Sequence, residues 1–269
     1  MKRALYSLDD EEFVTFLGRT QEVLQNHGIP YMFVGGVASQ AHIASALTKQ
    51  ENKALYDLAH NSDVRIQDHL RATDDVDITL DLRAFGDAQD VRVAQRVLNA
   101  VADIEGEGLY SSPMHNVVEI KLERHGAKRP VFRLGLNENA DSSDRELSLN
   151  FYYSPQDTNT RWPAQMVEFD HANYYPFFDS AQTVALPYSQ TAVIPLRVKG
   201  LEALLATKLA RARPKDCADI IAIYQHSQEA GIPLNVDAIK DLLCAPDPRL
   251  GITNEALVHA YTQFLSHIR

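Results

Sequence analysis

The stretch YMFVGGVASQAHIASAL, residues 31–47, constrains the fold more than any other part of the chain. Four apolar residues in a row suit a buried strand, two glycines suit a tight turn, and the remainder reads as a helix. A strand feeding a helix through Gly35-Gly36 sets a helix N-terminus at a strand end. Glycine lets backbone approach a ligand closely, and the N–H groups of a first helical turn attract phosphate. Ser39 adds a hydroxyl one turn further on.

The segment RATDDVDITL, residues 71–80, predicts a second strand. Val76, Ile78 and Leu80 alternate as a core face should, with Asp75 and Asp77 between them and Asp74 just ahead. Aspartate is a poor strand former, and two on one face repel each other. Such a pair is understandable if it grips cations. Hard carboxylate oxygens suit Mg²⁺, and two such ions ~4 Å apart stabilise the entering and leaving oxygens of a phosphoryl displacement. A solvated polar strand face explains the two-residue pattern as well, because such short patterns recur by chance. The strand–GG–helix unit followed by the aspartate strand is more specific than either part: one half suits a triphosphate, the other its metals.

Elsewhere, Ser7 with Asp10 resembles a capping box, which predicts a first helix from about Leu8 to Asn26 with Gly28 as its stop. Residues 48–70 are polar and read as a partly helical insertion. An amphipathic helix is expected at about 88–103, then strands at NVVEIKL, PVFRLGL and ELSLNFYY. From about residue 198 the chain turns helical. The expected organisation is an α/β domain over 1–155, a connecting segment over 156–195 and a helical C-terminal domain over 196–269.

A chain of 269 residues with 45% apolar and 23% charged residues has the balance of a globular protein with a sizeable core. No apolar run is long enough to cross a bilayer and no apolar signal region opens the sequence, so the expectation is a cytoplasmic protein with no membrane partner. The net charge of −10 argues against a broad duplex-binding surface, though not against a local basic cleft. The two cysteines, Cys217 and Cys244, stand outside any pair motif and read as small buried residues. The ten histidines show no transition-metal spacing.

A third chemistry-bearing element lies in LEALLATKLARARPKDCADIIAIY. Lys208 and Arg211 continue the leucine stripe of the first helix, at i+4 and i+7 from Leu204. On the next helix Asp216 and Asp219 align with Ile220 and Ile223. Charges placed where core residues belong either lock to one another or face a cleft.

With these three elements the sequence resembles the nucleotidyltransferases of the DNA polymerase β superfamily, and more narrowly the AbiEii toxin-like group, the toxin class of type IV toxin–antitoxin systems. The matching residues are GGVA at 35–38, R-x-T-x-D-V-D at 71–77, and the later series Lys208, Arg211, Lys215-Asp216 and Asp219. The resemblance implies a mixed α/β sheet flanked by helices, followed by a helical domain. It also implies transfer of a nucleoside monophosphate from an NTP to an acceptor. By the motif match, Gly35, Gly36, Ser39, Arg71, Thr73 and Arg211 would bind the nucleotide and Asp75 and Asp77 would bind Mg²⁺. Lys208, Asp216 and Asp219 would complete the catalytic site.

Two departures accompany the match. The long spacing from Gly36 to Asp75 leaves residues 48–70 to shape an acceptor site of its own. The third acid of many superfamily members has its counterpart at Asn150, and asparagine cannot serve as a base; Glu119 or Glu146 are the substitutes in reach of that role. Three readings follow. The first is an NMP transferase acting on tRNA, other RNA or protein, as a toxin with an antitoxin partner. The second is a small-molecule adenylyltransferase of the antibiotic-modifying kind, and the third an inactive nucleotide-binding relative. An RNA acceptor would need a basic track, for which Lys121, Arg124, Lys128, Arg129, Arg211, Arg213 and Lys215 are candidates.

Overall fold

A computed structural model describes residues 6–60, 66–73, 75–80, 148–153, 179–211, 213–244 and 266. Its centre is a five-stranded mixed sheet of order β3-β2-β1-β5-β4. The strands are β1 (Tyr31–Phe33), β2 (Asp75–Leu80), β3 (Ser148–Tyr153), β4 (Gln182–Pro187) and β5 (Val193–Val198). β2 is antiparallel to β1 and parallel to β3; β5 is parallel to β1 and antiparallel to β4. The helix expected at 88–103 and the strands expected at 116–122 and 130–136 lie outside the described residues.

Helix α1 (Glu11–Asn26) starts three residues later than the sequence suggests. Asp10 is its N-cap rather than the third residue of a capping box: its carboxylate accepts from the N–H groups of Glu12 at 2.9 Å and Phe13 at 3.3 Å. Gly28, at φ 62, follows as the stop. The helix buries Phe13, Phe16, Leu17 and Leu24 and packs on β5. Gln21 adds a polar tie, donating to the Pro195 carbonyl and accepting from the Tyr31 hydroxyl.

Helix α2 (Gly35–Glu51) is buried along most of its length and packs against β2, β4 and β5. Ala38, Ala41, Ala44 and Ala46 are all fully buried, and their small side chains let neighbouring elements come close. The insertion at 48–70 carries the end of α2 and two short helices, α3 (Leu55–His60) and α4 (Ile66–His69). After the strands come α5 (Leu201–Arg211), α6 (Pro214–Glu229) and α7 (Val236–Cys244). Pro214 opens α6 at a position where the missing N–H costs nothing. α5 packs on α6 and α7, and α6 lies along α2.

Two expectations change here. Residues 182–195, expected within a connecting segment, supply β4 and the first half of β5 and so belong to the sheet. Cys217, expected to be buried, is exposed on α6. No helix among the described residues is long and apolar enough to cross a membrane.

Candidate functional site

The strand–glycine–helix unit is tighter than the sequence suggests. α2 begins at Gly35 itself, with Val34 as N-cap and no side-chain cap on its first turn. Gly35 has φ +60, a conformation that side chains with a Cβ rarely adopt. A Cβ on Gly35 would also lie 2.5 Å from Oδ2 of Asp77. The register explains this approach: the Val34 N–H donates to the Asp77 carbonyl at 2.9 Å, which extends the β1–β2 ladder to the helix start. The carboxylate of Asp77 therefore rests against the first residue of α2. Gly36 plays a similar part for Thr73, since its Cβ would stand 2.8 Å from the Thr73 hydroxyl.

Thr73 is buried and exchanges both backbone hydrogen bonds with Tyr6, each at 2.8 Å. Ser39 is also buried, and its hydroxyl donates to the Gly35 carbonyl at 2.9 Å. That bond turns its proton into the helix. Asp75 lies on β2 opposite Ser148 of β3, and Asp77 opposite Asn150. Of these partners and of Arg211, on the last turn of α5, the backbone position is what is described.

Lys208 of α5 locks to Asp216 and Asp219 of α6. Lys208 is 4% exposed, Asp216 1% and Asp219 2%, which decides for a lock over an open cleft. Lys208 Nζ donates to Asp219 at 2.5 Å and stands 3.6 Å from Asp216. Two arginines close the network from outside. Arg71 donates to Asp219 through Nε at 2.8 Å and Nη2 at 2.9 Å. Arg213, N-cap of α6, donates to Asp216 through Nε at 2.5 Å and Nη2 at 3.1 Å. Each forms a planar two-point fork, the strongest arrangement of a guanidinium with a carboxylate. Their side chains remain 36% and 40% exposed. The buried acids thus hold two half-exposed arginines at the rim, and Arg213 is within electrostatic reach of Asp77.

The electrostatics assign states. Burial alone would raise the pKa of Asp219, but the hydrogen bonds from Arg71 and the charge of Lys208 outweigh it and hold the carboxyl below its usual range. A carboxylate so stabilised is a poor base. Burial pushes Lys208 below the usual lysine range, while Asp219 and Asp216 pull it back. The hydrogen bonds to Asp216 push Arg213 upward, so it stays charged.

Three residues that sequence reasoning passed over help to position this group. Buried Gln40 on α2 donates to the Arg71 carbonyl at 3.0 Å and the Tyr6 carbonyl at 3.3 Å, and accepts from the Leu8 N–H at 2.8 Å. His69 on α4 meets His226 on α6, with Nδ1 and Nε2 3.1 Å apart. Nothing in the sequence signals Gln40. His226 does carry a signal: it continues the stripe of Asp216, Asp219 and Ile223 at helical spacing.

The residues fit a hard divalent cation in one respect. Asp77 presents carboxylate oxygen at a close backbone cradle that any side chain on Gly35 would fill. Among the described residues no group of three or more histidines, cysteines, aspartates or glutamates is placed to hold a metal.

No protein-family model matches the chain, and no curated protein matches it. Among solved structures it is similar to the antibiotic-resistance factor ANT(2'')-Ia, at 13% identity and a TM-score of 0.39, over 95% of this chain and 96% of that one. It is also similar to an antigenic nucleotidyltransferase-like protein from Paracoccidioides brasiliensis, at 16% identity and a TM-score of 0.39, over 95% of each chain. Overlap at this level does not bear on activity.

Proposed function

We propose that this protein is a metal-dependent nucleotidyltransferase, moving a nucleoside monophosphate from an NTP to an acceptor. The observation that carries the reading is the contact of Asp77 with the start of α2. It juxtaposes a carboxylate suited to Mg²⁺ and a first helical turn suited to phosphate. Asp75 and Asp77 would hold Mg²⁺, as a two-ion site. When bound, the metal supplies positive charge to the triphosphate and the leaving pyrophosphate. Gly35 and Gly36 offer backbone N–H groups to the triphosphate. Arg71 and Arg213 present their outer edges to phosphate oxygens, and Arg211 stands on the last turn of α5 as a further candidate. Thr73 and Ser39 shape the turn.

Lys208, Asp216 and Asp219 serve this site through the arginines. Asp219 is too well stabilised as an anion to take a proton, and Lys208 is spent on the two acids. In the reaction an acceptor hydroxyl oxygen forms a bond to the α-phosphorus and its proton passes to solvent. The bond from that phosphorus to the bridging oxygen breaks, and pyrophosphate leaves with the electron pair.

The acceptor defines two versions of this reading. One is RNA, including tRNA, or protein, as the resemblance to the AbiEii toxin-like group implies, with an antitoxin as partner. The other is a small molecule, which the acidic net charge of −10 favours over a large RNA footprint.

The test incubates the protein with each α-labelled NTP, Mg²⁺ and, in turn, total RNA or a panel of antibiotics. Asp77→Asn should cut transfer by ~10²-fold or more, the scale on which losing one stabilising group slows a reaction. Its fold should survive, because relieving carboxylate repulsion offsets the lost metal. Label in RNA, in the protein itself or in an antibiotic names the acceptor. No label anywhere, with no Mg²⁺-NTP shift in the melting curve, rejects the reading.

A further inference from the structure

The segment carrying Arg71 is tied to α6 at two points. Arg71 grips Asp219, and two residues earlier His69 grips His226. Asp219 and His226 lie seven residues apart on one face of α6, about 10 Å along its axis. The rings of His69 and His226 meet edge to face, with centroids 4.8 Å apart. We infer that His69 and His226 form a proton-operated clasp that positions Arg71, so that acid loosens the arginine from α6.

The clasp has a defined proton inventory. A bond between two ring nitrogens needs one N–H and one lone pair. Nδ1 of His226 lies 3.6 Å from the Glu229 carboxylate and has no hydrogen-bond partner among the described residues. The tautomer that aims its N–H at Glu229 leaves Nε2 to accept from His69 Nδ1–H. One proton added to the pair keeps this bond. A second removes the last lone pair and sets two cations against each other.

The surroundings govern when that happens. α4 presents His69. On α2 the buried titratable group is His42, which is occupied with the Lys199 carbonyl at 2.8 Å; on α5 it is Lys208, occupied with Asp219. On α6 itself stands Glu229. Burial lowers the pKa of His226, the charge of His69 lowers it further, and Glu229 opposes both. The sign follows: a histidine held neutral in the native state stabilises it fully above the ordinary value of 6.5. That contribution is lost as the pH falls below 6.5 through the lowered value. Acid therefore opens the clasp, and the segment carrying Arg71, two residues away, loses one of its ties to α6.

The consequence for phosphate binding rests on the nucleotidyltransferase reading; the clasp itself does not, and the experiment separates them. In the wild type, the His226 ring-nitrogen resonances followed from about pH 7.5 to about pH 5 should titrate below the ordinary histidine value. Titration at the ordinary value overturns the inference. Over the same range, amide exchange in residues 66–73, corrected for its chemical pH dependence, should rise about tenfold or more. In His226→Gln, whose amide bonds without titrating, it should stay flat. His69→Gln makes the same comparison if the buried site rejects glutamine. Equal responses in wild type and variant overturn the clasp. Mg²⁺-ATP should raise the melting temperature less in acid for the wild type, and equally at both pH values for the glutamine variant. An Mg²⁺-ATP shift with the same pH dependence in both shows that the pair does not position Arg71 for phosphate. No shift at any pH, with exchange still responding, rejects the nucleotide reading and leaves the clasp standing.

Discussion

Asp77 on β2 is half-buried with one oxygen against the Gly35 backbone, whereas Asp219 on α6 is 2% exposed and accepts three hydrogen bonds from Arg71 and Lys208. Both are aspartates in a run that alternates acids with apolar residues. Asp77 meets close backbone with Arg213 within electrostatic reach, whereas Asp219 is bonded directly by two cations. A buried carboxylate costs several kcal/mol to desolvate, on the order that only well-placed charges return. The α6 acids receive that return inside the protein, so their negative charge is not left over for a metal. The β2 acid sits at a turn shaped by glycine.

The comparison breaks most visibly at Asp219. Removing one partner of a buried ion pair strands the others, and Asp219→Ala should cost about 3–5 kcal/mol in chemical denaturation. A loss of about 1 kcal/mol or less, the scale of an exposed pair, would put Asp219 on the same footing as a surface acid. The pH dependence carries the same information. The folded pKa of Asp219 is depressed, so its contribution is complete above the ordinary aspartate value of 3.8 and is lost as the pH falls through the folded value. The stability gap between wild type and Asp219→Ala should narrow in that acid range and stay constant near neutrality.

At Gly35 the expected effect is smaller in stability and larger in function. A left-handed backbone costs a residue with a Cβ roughly 1–2 kcal/mol, and the added methyl would also displace Asp77. Gly35→Ala should therefore lower the melting temperature modestly and abolish the Mg²⁺-ATP shift. A variant that melts early yet keeps the full ligand shift would show that the Gly35–Asp77 approach serves the fold alone.

The smallest effect belongs to a residue remote from both groups of charges. Asp10→Ala should lose about 1 kcal/mol, the usual worth of an N-cap, with the Mg²⁺-ATP shift unchanged. A changed ligand shift would mean that α1 communicates with the site, which the comparison does not allow.

How far these regions could be read in advance differs for a physical reason. β2 and α2 announce themselves, because alternation and glycine placement are local signals. The alignment of Lys208 with Leu204 and of Asp219 with Ile223 is equally local, and it presents two outcomes, lock or cleft. Lys208 closes the lock locally, but the fork that Arg71 adds comes from 148 residues away from Asp219 along the chain, and no local period encodes such a meeting. The same holds for β4 and β5. Their residues look like a connector until β5 finds β1, a pairing made across 165 residues at Phe33 and Val198. Asp10 shows the opposite scale of difficulty: the acid is plain in the sequence, yet whether it caps α1 or sits in its first turn depends on which N–H groups its carboxylate reaches.

By itself, then, the sequence determined the elements and their faces: the strand with Asp75 and Asp77, the glycine start of α2, and the charged stripes of α5 and α6. These follow from backbone geometry, which repeats every two residues in a strand and every 3.6 in a helix. Only the tertiary structure decided which charges cancel. It paired Arg71 with Asp219 and Arg213 with Asp216, buried Lys208 between the acids, and set Asp77 against Gly35. Charge cancellation depends on distance in space and on the loss of water, and chain folding sets both.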